Sequence, residues 1–501
     1  MISKYFCNLK WIKKNKKIFK KICRGIERES IRIDKNGNFS KKSHPEKLGS
    51  SLTHKWITTD FSENLIEFVS PKTKSIKKLK RFLKDIYIYT INNLDKEMLW
   101  PLSIPPYYPK NEKIIKIAQY GNSYIGKKKE LYRIGLKNRY GTYKNIISGI
   151  HYNFSFPIEF WKKYVRKKKI NKNIISKGYM HIIRNYYRFG YFISYVFGAS
   201  PYISKKIKIK TKKYNLKKKR DILFSKWSTS LRNSKLGNYN NIKKKIKIKF
   251  NSLSEYIKKV KKALNTKENK FKKIKINKQQ INDNIIQLEN ELYIQIRPKQ
   301  NTKKNETQIN ALEKRGIKYI EIRSLDINPF TNIGIKKYQI LFLDLFLIWC
   351  ISIKSPYIKK SEMKKINTNW ENICINGKKS GQKIYINKKK KTFIKISFKI
   401  LNKIKKIAKI LDSNTNLKEY EESYKKVKKI LKNKKLTYSS KILKNIKKYG
   451  IKNFGLKISK KYLKKSIGKK IKNKNKIKFI KEKYISIKEK KIIDKKCKYI
   501  K

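Results

Sequence analysis

Three stretches of this 501-residue chain alternate apolar and polar side chains with the two-residue period of a β-strand: RGIERESIRID at 24–34, SGIHYNFSF at 148–156 and IKYIEIRSL at 317–325. Successive strand side chains point to opposite faces, so each stretch has an apolar back and a polar front. Glu27 and Glu29 share the front of the first. His151 and Asn153 share that of the second, opposite Ile150, Tyr152 and Phe154. In the third, Tyr319, Glu321 and Arg323 face one way and Ile320 and Ile322 the other. Alternation predicts a further strand over 286–297, with Glu289, Glu291, Tyr293 and Arg297 on one face, and NLIEFVS at 64–70 reads as another. Strands of this kind build a sheet with a polar working face and a covered back.

Helices supply the cover. Ile76, Leu79, Phe82, Leu83 and Ile86 recur at helical spacing between Lys72 and Leu94, and an aromatic-rich helix is predicted over 173–197. A third is predicted over 336–353. Its apolar run, Ile340–Ile353, carries Asp344 and falls short of the ~20 residues that span a bilayer, so it reads as a buried helix of a soluble protein. The N-terminus, MISKYFCNLKWIKKNKK, has no continuous apolar segment, and no secretory signal is expected. Five scattered cysteines without a CxxC pair argue against a disulfide scaffold or a thiolate zinc site and suit a reducing cytoplasm.

The chain holds 133 Lys and Arg against 33 Asp and Glu, a formal charge of +100. A nucleic-acid binder is one reading, and it predicts basic residues gathered on one face with a good share of Arg. Only 14 of the basic residues are Arg, none after Arg323, while Lys is spread over nearly every exposed-looking position. A compositional drift that fills surface sites with Lys, Ile, Asn and Tyr accounts better for this. Lys/Asn-rich spacers at 204–220, 241–249, 264–283 and 386–392 read as loops or solvated helix faces. The last 51 residues hold 21 Lys and 3 acids and read as amphipathic helices outside the core. The expected organisation is a core over 1–400, with a mostly helical, Lys-rich part over 401–501 on the same domain.

Carboxylates gathered on one sheet face repel each other unless a cation compensates. Glu27, Glu29, Asp60, Glu67, His151 and Glu321 together, without a nearby cysteine, suit hard oxygen-loving Mg²⁺ or Mn²⁺ better than zinc. Neither GxxxxGK[ST] nor GxGxxG occurs, which removes the P-loop and Rossmann readings, and no GxSxG elbow supports a hydrolase. If ATP is used, metal ions on carboxylates must grip its phosphates.

At these residues the chain resembles a known family. GIERESIRI, HPEKLGSSLTHKWITTDFSENLIEFVSP, WPLSIPP, AQYGNSYIGKKKELYRIGLKNRYG, SGIHYNFSF, IRNYYRFG, FGASP, QLENELYIQIRPK and GIKYIEIRSLDINPF are similar to blocks of bacterial glutamate–cysteine ligases, proteobacterial type 1. The blocks run in family order from about residue 20 to 353, with a weaker echo to about 445. The resemblance implies an α+β, glutamine-synthetase-like fold, in which a curved, mostly antiparallel sheet backed by helices forms a funnel-shaped site.

It also implies Mg²⁺- and ATP-dependent joining of L-glutamate to L-cysteine; the protein expected from the whole sequence is a cytoplasmic monomer with no transmembrane segment and no nucleic-acid partner. By motif position, metal ligands fall on Glu27, Glu29, Asp60, Glu67, His151 and Glu321. Substrate contacts fall on Tyr132, Arg232, Tyr293 and Arg323, with Tyr293 and Arg232 on the cysteine side. Arg323 is expected to steady the transferring phosphoryl group, and a carboxylate, assigned to Glu321, to take the amine's proton. The family's SLRSDLGY pattern reads SLRNSKLGNYN here, placing Asn238 where Tyr is expected and Tyr239 one residue late. That departure leaves room for a related ligase with another amine acceptor. A basic nucleic-acid-binding protein with relic ligase motifs is the rival from another class.

Overall fold

A computed structural model describes residues 7–109, 111–206, 214, 216–237, 246–387, 389–413 and 416–498. Its strands are β1 (Cys23–Ile33), β2 (Ile57–Thr59), β3 (Leu65–Val69), β4 (Met98–Leu99), β5 (Ile150–Ser155), β6 (Tyr202–Ser204), β7 (Lys217–Lys219), β8 (Ile222–Phe224), β9 (Ile296–Lys299), β10 (Tyr319–Leu325), β11 (Lys383–Ile386) and β12 (Lys389–Thr392). Seven of them form the main sheet, in the order β2-β3-β1-β5-β10-β9 with β4 beside β1. Every pairing in it is antiparallel. A small sheet of β6, β8 and β7 and a β11–β12 hairpin stand apart.

The strands fall where alternation placed them, except over 286–297. There Glu289–Glu291 forms a 3-10 turn, and only Ile296–Lys299 joins the sheet. The four polar residues therefore do not line one strand. Buried partners override the alternation: Glu291 accepts from the Gln287 N–H at 2.7 Å and from Arg139 at 3.2 Å. The 173–197 helix is two helices, Lys172–Phe189 and Tyr191–Phe197, divided at Gly190, where a Cβ would lie 2.6 Å from the Tyr186 carbonyl. The 386–392 spacer is half of a hairpin rather than a loop, turning at Asn387 with φ 54°.

Behind the sheet lies the helix Lys337–Ser352, buried from Gln339 to Ile351. It meets Lys172–Phe189, Phe393–Asp412 and Glu419–Lys432 in one core that also takes Ile26, Tyr152, Phe154, Ile320 and Ile322 from the apolar strand faces. The helix Phe393–Asp412 runs through residue 400 and buries Leu401, Ile404 and Ile407 in that core. Among the described residues, no helix is long and apolar enough to cross a membrane.

Asp344, the one charge in the apolar run, ties this helix to the sheet. Its Oδ2 accepts from Arg24 Nε at 2.8 Å and Nη2 at 2.6 Å, and its Oδ1 from the Tyr152 hydroxyl at 2.5 Å. Arg24 opens β1 and Tyr152 sits on β5, so one carboxylate pins two neighbouring strands to the helix. Both members of the ion pair are buried, which makes loss of one partner far costlier than loss of both. Asp344→Leu is expected to cost about 3–5 kcal/mol in urea unfolding. The double variant Arg24→Met/Asp344→Leu is expected to recover most of that.

Candidate active site

Strand register builds the site. On the polar face Glu29 of β1 stands directly opposite Glu67 of β3, Glu27 opposite His151 of β5, and Glu321 of β10 opposite both Asn153 and Arg297. Asp60 follows β2 immediately. His151 sits at the centre, with Nδ1 3.0 Å from Glu27 Oε2 and 3.4 Å from Glu321 Oε1, and Nε2 3.6 Å from Glu29 Oε1. The Gly149 N–H donates to Glu29 Oε2 at 2.6 Å and Asn153 Nδ2 to Glu27 Oε1 at 2.7 Å, each fixing a carboxylate. Arg323 Nη1 reaches Glu321 Oε1 at 2.7 Å, and Lys299 Nζ lies 3.8 Å from Oε2.

These contacts divide the acids. Burial pushes Glu67 well above the usual carboxylate range, and the nearby Asp60, Glu27 and Glu29 add to the rise. Burial also raises Glu29. For Glu27 burial pushes upward, but the hydrogen bond with His151 and the charges of His151 and Lys299 together hold the carboxyl below its ordinary value. At Glu321 burial is overcome by Arg323 and Lys299, which pull it down. Ligand atoms of Glu27, Glu67 and His151 lie within 4.8 Å of one another. An oxygen-rich group with one imidazole, partly out of water and short of protein cations at Glu67, has the chemistry of a Mg²⁺ or Mn²⁺ site.

All ten residues singled out in the sequence line one cavity of about 1220 Å³: Glu27, Glu29, Asp60, Glu67, Tyr132, His151, Arg232, Tyr293, Glu321 and Arg323. Tyr132 comes from the helix Tyr124–Tyr140, and Arg232 from a 3-10 turn, Leu231–Asn233. Arg232 donates to the Arg323 and Leu325 carbonyls at 3.2 Å, and its Nη1 lies 3.7 Å from the buried Asp326 Oδ1. Asn238 and Tyr239, the departure from the family pattern, lie outside the described residues.

Two further cavity residues carry no role assigned from the sequence. Arg133 donates to the Asp60 carbonyl and stacks 4.6 Å from the Tyr120 ring. Lys129 lies 5.2 Å from the same ring, and burial, with Arg133 beside it, lowers its pKa to about 8. Arg133 had a signal, being one of few arginines and next to Tyr132. Lys129 had none, since it sits in a KKK run. Two of the other histidines are structural: His54 Nδ1 accepts from the Ile57 N–H at 2.9 Å, and His181 Nε2 lies 2.7 Å from the Ile353 carbonyl oxygen.

A sequence profile of the glutamate–cysteine ligase family matches residues 9–373. This chain belongs to that family. A glutamate–cysteine ligase of Buchnera aphidicola subsp. Acyrthosiphon pisum is 51% identical over 470 residues, covering 92% of this chain and 90% of the relative. That of Wigglesworthia glossinidia brevipalpis is 46% identical over 503 residues and 99% of both chains. The solved Francisella tularensis glutamate–cysteine ligase in complex with AMP superposes with a TM-score of 0.87 at 31% identity, covering 94% of each chain. A bifunctional glutathione synthetase from Pasteurella multocida shares the fold, with a TM-score of 0.74 at 21% identity, and this chain spans 55% of it.

In this ligase, Gly149 leaves the space that Arg232 occupies, because a Cβ there would lie 1.9 Å from its Nη2. The clash falls on a guanidinium held by two carbonyls beside the buried Asp326, so Gly149→Ala should displace it at some cost in stability. A kcat/KM lowered roughly tenfold or more in protein that still folds, with a modestly lowered thermal midpoint, is the expected outcome.

Proposed function

We propose that this ligase joins the γ-carboxylate of L-glutamate to the amine of L-cysteine at the expense of ATP, through γ-glutamyl phosphate, as the first step of glutathione synthesis. The observation that carries this reading is the acid–imidazole cluster on the sheet face with Arg323 beside it, in a cavity large enough for three substrates. Glu27, Glu29, Asp60, Glu67, His151 and Glu321 are the residues that would hold Mg²⁺. When bound, the metal supplies charge neutralisation for the triphosphate.

The chain's own groups do the rest. A γ-carboxylate oxygen of glutamate attacks the γ-phosphorus and the bond to ADP breaks. Arg323, fixed by its 2.7 Å contact with Glu321, presents a guanidinium edge to the phosphoryl oxygens as charge shifts among them. The cysteine amine then attacks the acyl carbon, the bond to phosphate breaks, and a carboxylate of the sheet face takes the amine's proton. Glu321 enters as the anion that orients Arg323. Its lowered proton affinity makes it the least suited of these carboxylates to that proton. Tyr132, Arg232 and Tyr293 position the amino acids, with Arg232 and Tyr293 on the cysteine side. A charge of +100 disfavours self-association, in keeping with a cytoplasmic monomer.

The test is ADP release by purified protein with ATP, Mg²⁺ and glutamate, with and without cysteine. Release that needs both amino acids, yields γ-glutamylcysteine and stops on EDTA addition is expected. Equal turnover with unrelated amines, or none at all from folded protein, would refute the assignment. Arg323→Lys keeps the charge but loses the planar fork, and should lower kcat about 100-fold while KM values move little.

A further inference from the structure

The C-terminal helix, Asn473–Lys498, lies beyond the family match and still reaches the cavity, where Ile493 and Lys496 form part of the wall. It is fastened at three levels. At the first, Phe479 is buried between Trp56, Phe82 and Tyr89, with ring centroids 5.9, 5.4 and 5.2 Å away. At the second, Glu482 accepts from the Lys55 N–H at 3.1 Å, Ser486 Oγ accepts from the Ser50 N–H at 3.1 Å, and the Thr53 hydroxyl donates to the Ser486 carbonyl at 2.6 Å. At the third, Asp494 Oδ1 accepts from the Ser123 N–H at 3.1 Å.

Two glycines with positive φ make room for this. A Cβ on Gly49 (φ 88°) would lie 2.6 Å from Ser486 Oγ, and one on Gly121 (φ 94°) 2.7 Å from Lys490 Cε. The two rim segments so joined lead directly to site residues, 49–56 into β2 and Asp60, and 121–123 into the helix bearing Tyr132 and Arg133. Asp494 stands at the last fastening before Lys496, and Ser123 caps the Tyr124–Tyr140 helix.

Most cavity cations near the acids are already engaged. Arg323 and Lys299 face Glu321, Arg133 the Asp60 carbonyl, and Arg232 two carbonyls and Asp326. Lys496, like Lys304 elsewhere on the wall, has no hydrogen-bonded or ionic partner among the described residues, and its ammonium sits on a helix that is fastened to the rim, available to an anion entering the cavity. Given the ligase reading above, on which this rests, the most highly charged such anion is the triphosphate. We infer that the C-terminal helix is a wall of the active site, with Lys496 a contact for the polyphosphate of the nucleotide and Asp494 the positioning residue that sets it there.

The full-length variants Lys496→Ala, Lys496→Arg and Asp494→Ala test this, with Lys488→Ala on the exposed side of the same helix as the control for loss of one charge. Lys496→Ala should raise the KM for ATP roughly fivefold at low salt, about the worth of one charge-assisted contact. Its kcat, its KM values for glutamate and cysteine, and its thermal midpoint should change little. Lys496→Arg should restore the ATP KM, Asp494→Ala should raise it alone, and Lys488→Ala should leave it unmoved. An unaltered ATP KM in Lys496→Ala would overturn the inference. So would an Asp494→Ala variant whose three KM values rise together as its thermal midpoint falls, which marks a packing role. Failure of the ligase reading itself would show separately, as wild-type protein without cysteine-dependent turnover.

Discussion

Four glutamates, Glu27, Glu29, Glu67 and Glu321, are forced onto one face of a sheet around a single imidazole, against their mutual repulsion. Crowded, partly desolvated carboxylates are unfavourable unless each finds a cation or a hydrogen-bond donor. Here the donors are unevenly shared: His151 and Asn153 serve Glu27, the Gly149 amide serves Glu29, and Arg323 and Lys299 serve Glu321. Glu67 is left with the largest upward pressure on its carboxyl. Such an imbalance suits a site completed by a divalent cation, and it requires that the backbone beneath it be held in place.

That immobility comes from the other side of the sheet. Arg24 and Tyr152 lie on the two strands that bear Glu27, Glu29 and His151, and both end on Asp344 of the buried helix. A tie behind the sheet thus holds the register that sets the pairs in front of it. The charge surrounding this arrangement is of a different kind. Excess Lys covers the outside of the helices, whereas the arginines kept near the cavity bond specific carbonyls and carboxylates: Arg133, Arg232, Arg297 and Arg323. A planar fork with several fixed donors is needed there, and a mobile ammonium cannot replace it.

Much of this was legible beforehand. A two-residue period placed Glu27 with Glu29, His151 with Asn153, and Glu321 with Arg323, because the pleat itself decides which neighbours share a face. It failed at Glu289 and Glu291, where an alternating pattern describes a chain that turns instead. Their side chains are satisfied by Gln308, Arg139 and Tyr140 from outside the stretch, and by the Gln287 amide four residues before Glu291, a contact made by a turn and not by a strand. Lys129 and Lys496 were invisible for another reason. In a chain where Lys fills most surface positions, its presence in the sequence carries almost no information, and only location separates a cavity wall from open solvent.

The sequence by itself therefore determined which side chains share a strand face, which helix must be buried, and the family to which the blocks point, since these follow from local geometry and local pattern. Tertiary structure alone decided which strands are neighbours and in what register. Glu29 meets Glu67 and Glu27 meets His151 only through antiparallel pairing between segments far apart in the chain. It also decided that a lysine-rich terminal helix lies along the cavity rim, fixed by Glu482, Ser486 and Asp494. Such contacts depend on the summed packing of the whole molecule, and no local period encodes them.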